Sequence, residues 1–353
     1  MSNSWQPVEV NTETAGPDFW ARFHPYRRLR HSETHPDDPP EPNDKVEANL
    51  KRPDPFEFKH RYEISRDGQM LSWFTASAAK PSNPEYESSK HLIWANWSVH
   101  RDHRRQGMGR SWIPLVLELM ERHHSTTLSV GSDEDSGHAF LKWLGAEAKL
   151  TGAENRLQFA EVDWDMVRRW AEEGPRRSPN TRLMVYDGHL PRELWEEYCP
   201  QLSSMLNTMP WEQLDHGDIV VTPAIMEEWY ARMDLAGESH HVMFTREPDG
   251  TISGITDMFY APYNPQMIGQ AFTGVRPDER GRGLGKWLKA AMLLHVRELY
   301  PDLVRVTTDN AASNAPMLAI NKRLGFKQYR AGSDYQISRD RLQARARELA
   351  AAR

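Results

Sequence analysis

Two short stretches place glycine and arginine directly before a predicted helix. The first reads RDHRRQGMGRSW (101–112) and the second RPDERGRGLGKWLKAAM (276–292). The first four N–H groups of a helix have no partner within it, and the aligned peptide dipoles leave that end partly positive. Glycines permit left-handed backbone angles and close approach, so that successive N–H groups converge on one anion. Both stretches therefore predict a phosphate or diphosphate site.

The second stretch adds cations to this arrangement, because Arg280, Arg282 and Lys286 offer charge-assisted donors. Apolar residues then follow helical spacing from Leu284 to Leu299, which places the glycines at the start of a packed helix. A glycine turn that only packs a helix on a sheet explains the glycines but not the arginines. The stretch has neither the strand-first G-x-G-x-x-G of dinucleotide-binding folds nor the G-K-[ST] of a Walker A loop.

The two stretches belong to a longer repeat. Arg104 and Arg280 are 176 residues apart (280 − 104), half of the 353-residue chain. Each follows a strand-like stretch and precedes a helix, a short β-branched run and a second helix, which ends in LGA (144–146) or LGF (324–326). Each half also contains a predicted hairpin upstream. Similarity at a fixed period indicates duplication of a whole domain.

The repeat predicts two domains, at 1–171 and 182–353, joined by a linker at 172–181 that reads EEGPRRSPNT. Strands that run into helices around a central sheet indicate an α/β, or layered α+β, fold in each half.

Composition excludes several classes of function. The net charge of −6 argues against a nucleic-acid partner that binds by bulk electrostatics. No apolar run reaches the length of a membrane span, and the first residues lack a basic region followed by an apolar one, so we expect a cytoplasmic protein with no membrane partner. Cys199, the one cysteine, cannot form an intrachain disulfide. The adjacent pairs at 123–124 and 240–241 are histidines without metal-ligand spacing, and we expect no metal.

Both glycine motifs resemble the pyrophosphate loop of the GNAT acetyltransferase superfamily, [RQ]-x-x-G-x-[GA]. The motif reads RGRGLG at 280–285 and RRQGMG at 104–109, and TDNAASNAPMLAINKRLGF (308–326) resembles the second conserved region of the superfamily. The resemblance covers nearly the whole chain and implies two tandem GNAT domains with a mycothiol-synthase-like architecture, closest to uncharacterised actinobacterial-type tandem proteins. Each domain is expected to have a mixed, mostly antiparallel central sheet flanked by helices.

The resemblance implies acetyl-CoA as the cofactor. The CoA diphosphate would lie on the N–H groups of residues 281–286, and pantetheine would run beside the strand that ends at Val275. The implied contacts in the second half are Thr273, Gly274, Val275, Arg280, Gly281, Arg282, Gly283, Leu284, Gly285, Lys286, Asn310, Asn314 and Asn321. For Asn310 and Asn314, turn or helix capping is the alternative role.

The first half departs from this pattern. Val130 and Glu134 replace Asn310 and Asn314, and a carboxylate near a polyanion would repel it. Pro114 also interrupts the helix after the loop. The first half is thus expected to bind CoA weakly, to bind another ligand or to act as a scaffold. Its implied CoA contacts are Val99, Arg104, Arg105, Gln106, Gly107, Met108, Gly109 and Arg110.

Catalysis is expected in the second half. Many GNAT enzymes carry a general-acid Tyr five residues before the Phe of LGF, but here that position holds Asn321, and in the first half Leu141. Tyr335 is a weak candidate acid, with strand packing as the alternative. Asp257 is a candidate base, with a solvated strand position as the alternative.

The predicted function is transfer of an acetyl group from acetyl-CoA to a primary amine of a small molecule, by direct attack on the thioester. The segment 203–218 mixes Met and Trp with acidic residues and is a candidate cover for the acceptor. Two alternatives are open: acetylation of a peptide or protein amine, and a catalytically silent acyl-CoA-binding or scaffolding protein. Both a monomer, in which the internal pair replaces a dimer, and a homodimer fit the repeat.

Overall fold

The structure, a computed structural model, describes residues 5–351 and divides them into two compact units. The N unit comprises residues 5–151, 212–218 and 332–351, and the C unit comprises 152–211 and 219–331. Within the described residues, no helix combines the length and the apolar character that crossing a membrane requires.

The first half of the chain contributes these strands and helices, in chain order: β1 (Val8–Glu9), α1 (Pro17–Thr34), α2 (Asn43–Lys51), β2 (Glu57–Arg66), β3 (Gln69–Ala79), α3 (Tyr86–Ser89), β4 (Leu92–Val99), α4 (Met108–Ser111), α5 (Ile113–Arg122), β5 (Thr127–Ser132), α6 (Asp135–Leu144) and β6 (Glu147–Gln158). The break between α4 and α5 lies at Trp112, two residues before Pro114, which cannot donate a backbone hydrogen bond.

The second half contributes α7 (Trp164–Arg177), β7 (Arg182–Asp187), α8 (Trp195–Leu206), α9 (Pro223–Ala236), β8 (Ser239–Arg246), β9 (Ile252–Tyr260), β10 (Met267–Val275), α10 (Leu284–Leu299), β11 (Arg305–Ala311), α11 (Ala315–Leu324), β12 (Lys327–Ser338) and α12 (Arg339–Ala351).

The two units have the same sheet topology. In the N unit, the strands from β1 to β4 each pair antiparallel with the next strand in the chain. Strand β4 then pairs parallel with β5, and β5 pairs antiparallel with β12. In the C unit, β7, β8, β9 and β10 pair antiparallel, β10 pairs parallel with β11, and β11 pairs antiparallel with β6. Each sheet is mixed and mostly antiparallel, so the predicted fold class is confirmed.

The last strand of each half belongs to the sheet of the other half. Residues 152–158 of β6 pair with β11 in the C unit, and residues 333–338 of β12 pair with β5 in the N unit. The compact units therefore differ from the contiguous domains 1–171 and 182–353 of the sequence prediction. The difference arises because β5 and β11 occupy equivalent positions in the two sheets. Strand β5 pairs with β12, from the second half of the chain, and β11 pairs with β6, from the first half.

The helices that follow the exchanged strands pack in the unit that their strand has joined. Val167 and Trp170 of α7 lie in one buried cluster with Leu288 and Met292 of α10. At Gly174 a Cβ atom would lie 2.1 Å from the Trp287 side chain, so only glycine permits this approach. Residues 172–177, expected to be linker, are consequently the end of a packed helix.

Candidate functional site

The glycine loop of the C unit begins where β10 ends. Gly281 and Gly283 have φ angles of 85° and 88°, in the left-handed region that favours glycine. Gly283 is the N-cap of α10, and the buried Leu284 anchors the first turn of that helix. The sequence prediction that the glycines lie at a helix entrance therefore holds.

Arg280 and Arg282 have different surroundings in this loop. The Nε of Arg280 donates to the Val275 carbonyl (3.2 Å), and its Nη2 donates to the Thr208 hydroxyl (3.3 Å). Arg280 pairs with no carboxylate among residues 5–351. Arg282, in contrast, pairs with Glu247 (3.0 Å) and with Glu279. The charge of Arg280 is thus free for an anionic ligand, whereas that of Arg282 is largely neutralised.

Two further cations lie beside the loop. The Nη1 of Arg177 lies 3.1 Å from the position that a Cβ on Gly283 would take, and sequence reasoning missed it because 177 was assigned to a linker. The Nζ of Lys286 lies 5.6 Å from the centre of the Trp170 ring. Both contacts depend on α7, which the strand exchange brings to α10.

The strands β10 and β11 pair only at their beginnings. Residues 267–270 of β10 pair with 305–308 of β11, and beyond them Phe272–Val275 keep only their pairing with β9 among the described strands. A bulge between Gln270 and Phe272 coincides with the point of divergence. Backbone groups at Thr273, Gly274 and Val275 thereby face a gap in the sheet, which fits the predicted extended ligand.

The three asparagines of the second conserved region are engaged with protein groups. The Oδ1 of Asn310 accepts from the Nδ2 of Asn321 (2.7 Å) and from that of Asn155 (3.3 Å). The Oδ1 of Asn314 accepts from the Met317 N–H (3.4 Å) and caps α11. The structure thus shows the capping alternative for Asn314, and it places Asn310 and Asn321 in a shared polar cluster.

The glycine loop of the N unit repeats the same backbone. Arg104 and Arg280 both have φ of −67° and ψ of 160°, and the Nε of Arg104 donates to the Val99 carbonyl (3.1 Å). Gly107 has φ of 84°, close to that of Gly283. At the position of Gly281 the N unit has Arg105, with φ of 64°, a conformation that costs a residue with a Cβ about 1–2 kcal/mol.

A cavity of about 820 Å³ opens beside this loop between the diverging strands β4 and β5. It is lined by backbone and side chains from both strands, the loop and α6: Asn96, Trp97, Ser98, Val99, Arg104, Arg105, Gly107, Met108, Gly109, Arg110, Val130, Gly131, Ser132, Glu134 and Phe140, among others. Seven of the eight N-unit residues expected to bind CoA thus line one space. Gln106 is the only one of the eight outside the lining.

Ion pairs inside this cavity modify the expected repulsion of a polyanion. Glu134 pairs with Arg30 and with Arg104 (3.4 Å), and Glu33 pairs with Arg30 and with Arg104 (2.6 Å). The carboxylates are therefore compensated, but so is Arg104. No described group forms an ion pair with Arg105 or Arg110, which leaves these two cations facing the cavity.

The two candidate catalytic residues lie in different units. Asp257 is buried on β9; its Oδ1 accepts the Phe272 N–H at the bulge (2.7 Å), and its Oδ2 lies 3.5 Å from the Nε2 of His240. Tyr335 pairs with Val130 in the N unit, and its hydroxyl lies 3.0 Å from the Nδ1 of His138. The strand exchange thus separates Tyr335 from the C-unit loop that it was expected to serve.

The structure also divides the predicted acceptor cover at 203–218. Met205 is buried in a C-unit core cluster, whereas residues 212–218 belong to the N unit, where Asp215 bonds to His91 (2.7 Å). A residue that sequence reasoning missed is Lys289, one turn into α10. Its ammonium is fully buried and donates to Gln270, and burial lowers its pKa to about 7.

The sequence has recognisable relatives. A mycothiol acetyltransferase of Saccharomonospora viridis is 26% identical over 251 residues, 67% of this chain and 73% of that protein. A mycothiol acetyltransferase of Salinispora arenicola is 35% identical over 115 residues, which span 34% of its length. No family model matches the chain.

Solved structures with the same fold cover almost the whole chain. A tandem GNAT protein from the clavulanic acid biosynthesis pathway superposes with a TM-score of 0.72 at 19% identity, over 95% of this chain and 98% of that one. A GCN5-related N-acetyltransferase from Sphaerobacter thermophilus gives 0.61 at 14% identity, over 94% and 96%. With two equivalent sheets and two matching glycine loops, the chain has the fold of tandem GNAT proteins, as its sequence predicted.

Proposed function

We propose that the chain is an acetyl-CoA-dependent N-acetyltransferase, an enzyme of the acyltransferase class. The observation that carries this proposal is the C-unit loop, where two left-handed glycines open the start of α10 beside Arg280, which no described carboxylate neutralises. The curated relatives, named acetyltransferases, support the same class of reaction.

Acetyl-CoA would supply the activated acetyl group and a leaving thiol. The N–H groups of residues 281–286, Arg280 and Lys286 would hold its diphosphate, and the unpaired side of Thr273–Val275 would hold the pantetheine arm. The backbone fits this use, because a side chain at Gly283 would be strained and would meet Arg177 at 3.1 Å. Arg282 contributes indirectly, since its ion pairs with Glu247 and Glu279 fix the loop.

Asp257 is proposed as a positioning residue for the bulge of β10. One of its oxygens accepts a backbone N–H at the bulge and the other faces His240, which leaves little capacity for direct contact with an acceptor amine. No tyrosine occupies the usual position of the general acid, where Asn321 is buried. A thiol with an ordinary pKa of about 8.5 leaves readily without such an acid.

The proposed acceptor is a primary amine of a small molecule, and a peptide or protein amine is the alternative within the same class. The test is thiol release from acetyl-CoA with a panel of small amines and short peptides, for the intact chain and for Arg280→Ala and Gly283→Asp. Turnover with a small amine that both substitutions abolish supports the proposal. Turnover with peptides alone supports the alternative, and absence of turnover with every amine contradicts an enzyme.

A second function is favoured by the cavity of the N unit, namely binding of CoA or acyl-CoA without catalysis. The cavity combines the loop backbone with Arg105 and Arg110, but Leu141 takes the position of the general acid and Arg104 is held by glutamates. Calorimetry with CoA tests whether each chain has one CoA site or two. Two sites, one of which is lost in Gly107→Asp without loss of turnover, would assign this role to the N unit.

A further inference from the structure

Three potential metal ligands converge in the C unit, away from the glycine loop. Asp187 ends β7 and lies directly opposite His241 on β8, and His295 projects from α10 toward them. The Nδ1 of His241 lies 2.6 Å from the Oδ1 of Asp187, and the Nε2 of His295 lies 2.8 Å from the same oxygen. One ligand atom of each residue lies within 4.8 Å of the other two.

The surroundings of His241 are those of a metal-ligating histidine. Its ring is buried, and its second nitrogen, Nε2, lies 2.7 Å from the hydroxyl of Tyr300. Tyr300 is fixed in turn by stacking on Tyr260, with ring centres 3.8 Å apart. A hydrogen bond on the far nitrogen sets the tautomer and directs the near nitrogen toward a metal, and such partners typically accompany histidine ligands.

The three ligands differ in exposure. The side chain of His241 is 4% exposed, against 26% for His295 and 44% for Asp187. The buried ligand is therefore fixed, while the two outer ligands leave a path for an ion and room for water at a fourth position.

We propose that Asp187, His241 and His295 form a site for a divalent transition metal of the zinc type. Imidazole nitrogen and carboxylate oxygen suit Zn²⁺, and three protein ligands plus water complete a tetrahedron. The expectation of no metal followed from the spacing of the adjacent histidine pairs at 123–124 and 240–241, whereas these three ligands come from separate elements.

The role of this site is structural. His295 lies eleven residues after Leu284 in α10, about 16 Å along the helix axis from the glycine loop, so the metal would not contact acetyl-CoA. It would link β7, β8 and α10, and thereby hold the helix whose first turn builds the loop. Binding of metal should raise the thermal stability of the chain.

The test uses the full-length chain, free of any affinity tag and stripped with EDTA. Titration with Zn²⁺ against a chromophoric chelator gives affinity and stoichiometry, and titration with Co²⁺ gives the visible absorption bands of a tetrahedral site. We expect one site in the intact chain, and a melting temperature raised by roughly 4–7 °C when Zn²⁺ is about 100-fold above Kd.

The variants His295→Ala and Asp187→Asn should lose this site, and Tyr300→Phe should weaken it by about 10–100-fold. His91→Ala is the matched control, because His91 forms a similar 2.7 Å contact with Asp215 but has no third potential ligand beside it among residues 5–351. Absence of stoichiometric binding in the intact chain, or equal binding by the His295→Ala and Asp187→Asn variants, would overturn the proposal. In that case the cluster is a hydrogen-bonded His–Asp–His group and no more.

Discussion

The glycine loops of the two units have the same backbone but different electrostatic surroundings. Arg104 and Arg280 share their backbone angles and the same bond to the end of the preceding strand. Arg104, however, pairs with Glu33 and Glu134, whereas the guanidinium of Arg280 bonds, within residues 5–351, to a carbonyl and a hydroxyl and to no carboxylate. The two loops thus share their backbone geometry and differ in the charges around it.

The layers beneath the two loops differ as well. Lys289 and Gln270 form a buried polar pair in the C unit, whereas Ile113, 176 positions before Lys289, lies in the apolar core cluster of the N unit. The N unit thus has an ordinary apolar core at this place, whereas the C unit keeps an ionisable group there. The comparison indicates that the C unit departs from simple packing near its candidate site, which is common at functional sites.

The largest expected effect comes from aspartate in either loop. Gly283→Asp should lower the affinity of the C unit for CoA about 100-fold and abolish turnover, because it combines a strained φ with a carboxylate in the anion cradle. Gly107→Asp should remove binding by the N unit and leave turnover within about twofold. Calorimetry and thiol release measure the two effects.

Gly188→Asp is the control for this pair, because Gly188 also has a positive φ, lies in open space and is far from both loops in sequence. If Gly107→Asp abolishes turnover and Gly283→Asp does not, the assignment of catalysis to the C unit is wrong.

The next effect concerns the arginines that open the motifs. Arg280→Ala should weaken CoA binding by roughly 10–100-fold, since charge-assisted hydrogen bonds contribute about 1.5–3 kcal/mol. Arg104→Ala should change CoA binding by less than about fivefold, because two glutamates already neutralise that charge. Its main effect should be on stability, as Arg30 alone then compensates both carboxylates. Calorimetry and urea unfolding on both variants test the contrast, and equal losses of CoA affinity would refute it.

Lys289 predicts a pH dependence that is specific to the C unit. Burial lowers its pKa from 10.5 to about 7, so the unfolded state binds more protons between these values and the free energy of unfolding rises with pH across that window. Lys289→Ile should stabilise most near pH 7, and its advantage over the intact chain should fall by about 1 kcal/mol per pH unit towards pH 10.

Urea unfolding at several pH values checks this dependence. Ile113→Val, at the equivalent position of the N unit, should destabilise by about 0.5–1.5 kcal/mol at every pH. A pH-independent effect of Lys289→Ile would show that the lysine is not buried as a titrating group.

The smallest expected effect is relief of strain in the N-unit loop. Arg105→Gly, which copies Gly281, should raise the free energy of unfolding by about 0.5 kcal/mol, because the gain of about 1–2 kcal/mol at φ of 64° is partly offset by the entropy of glycine. Thermal unfolding of this variant beside Arg105→Ala, which keeps the strain, measures the difference. A lower stability for Arg105→Gly than for Arg105→Ala would contradict the strain.

Much of the fold and of the candidate site could be predicted from the sequence. The 176-residue period indicated the duplication, and the position of the glycines before helices indicated the cradle at 281–285 and its copy at 105–109. These signals are local, because backbone angles and helix entrances depend on residues close in sequence. The roles of Arg282 and Tyr335 could not be predicted, since each depends on a partner far away in the chain.

The sequence by itself determined the repeated units, the mixed sheets and the glycine loops at the helix starts, because each follows from neighbouring residue types. Only the tertiary structure decided which edge each final strand joins. The edges of β5 and β11 are repeat equivalents, so no pattern within β6 or β12 distinguishes them. Because of this strand pairing, Tyr335 lies in the N unit, and α7 places Arg177 beside the C-unit loop. The same holds for Asp187, His241 and His295, whose convergence comes from packing between elements that are distant in sequence.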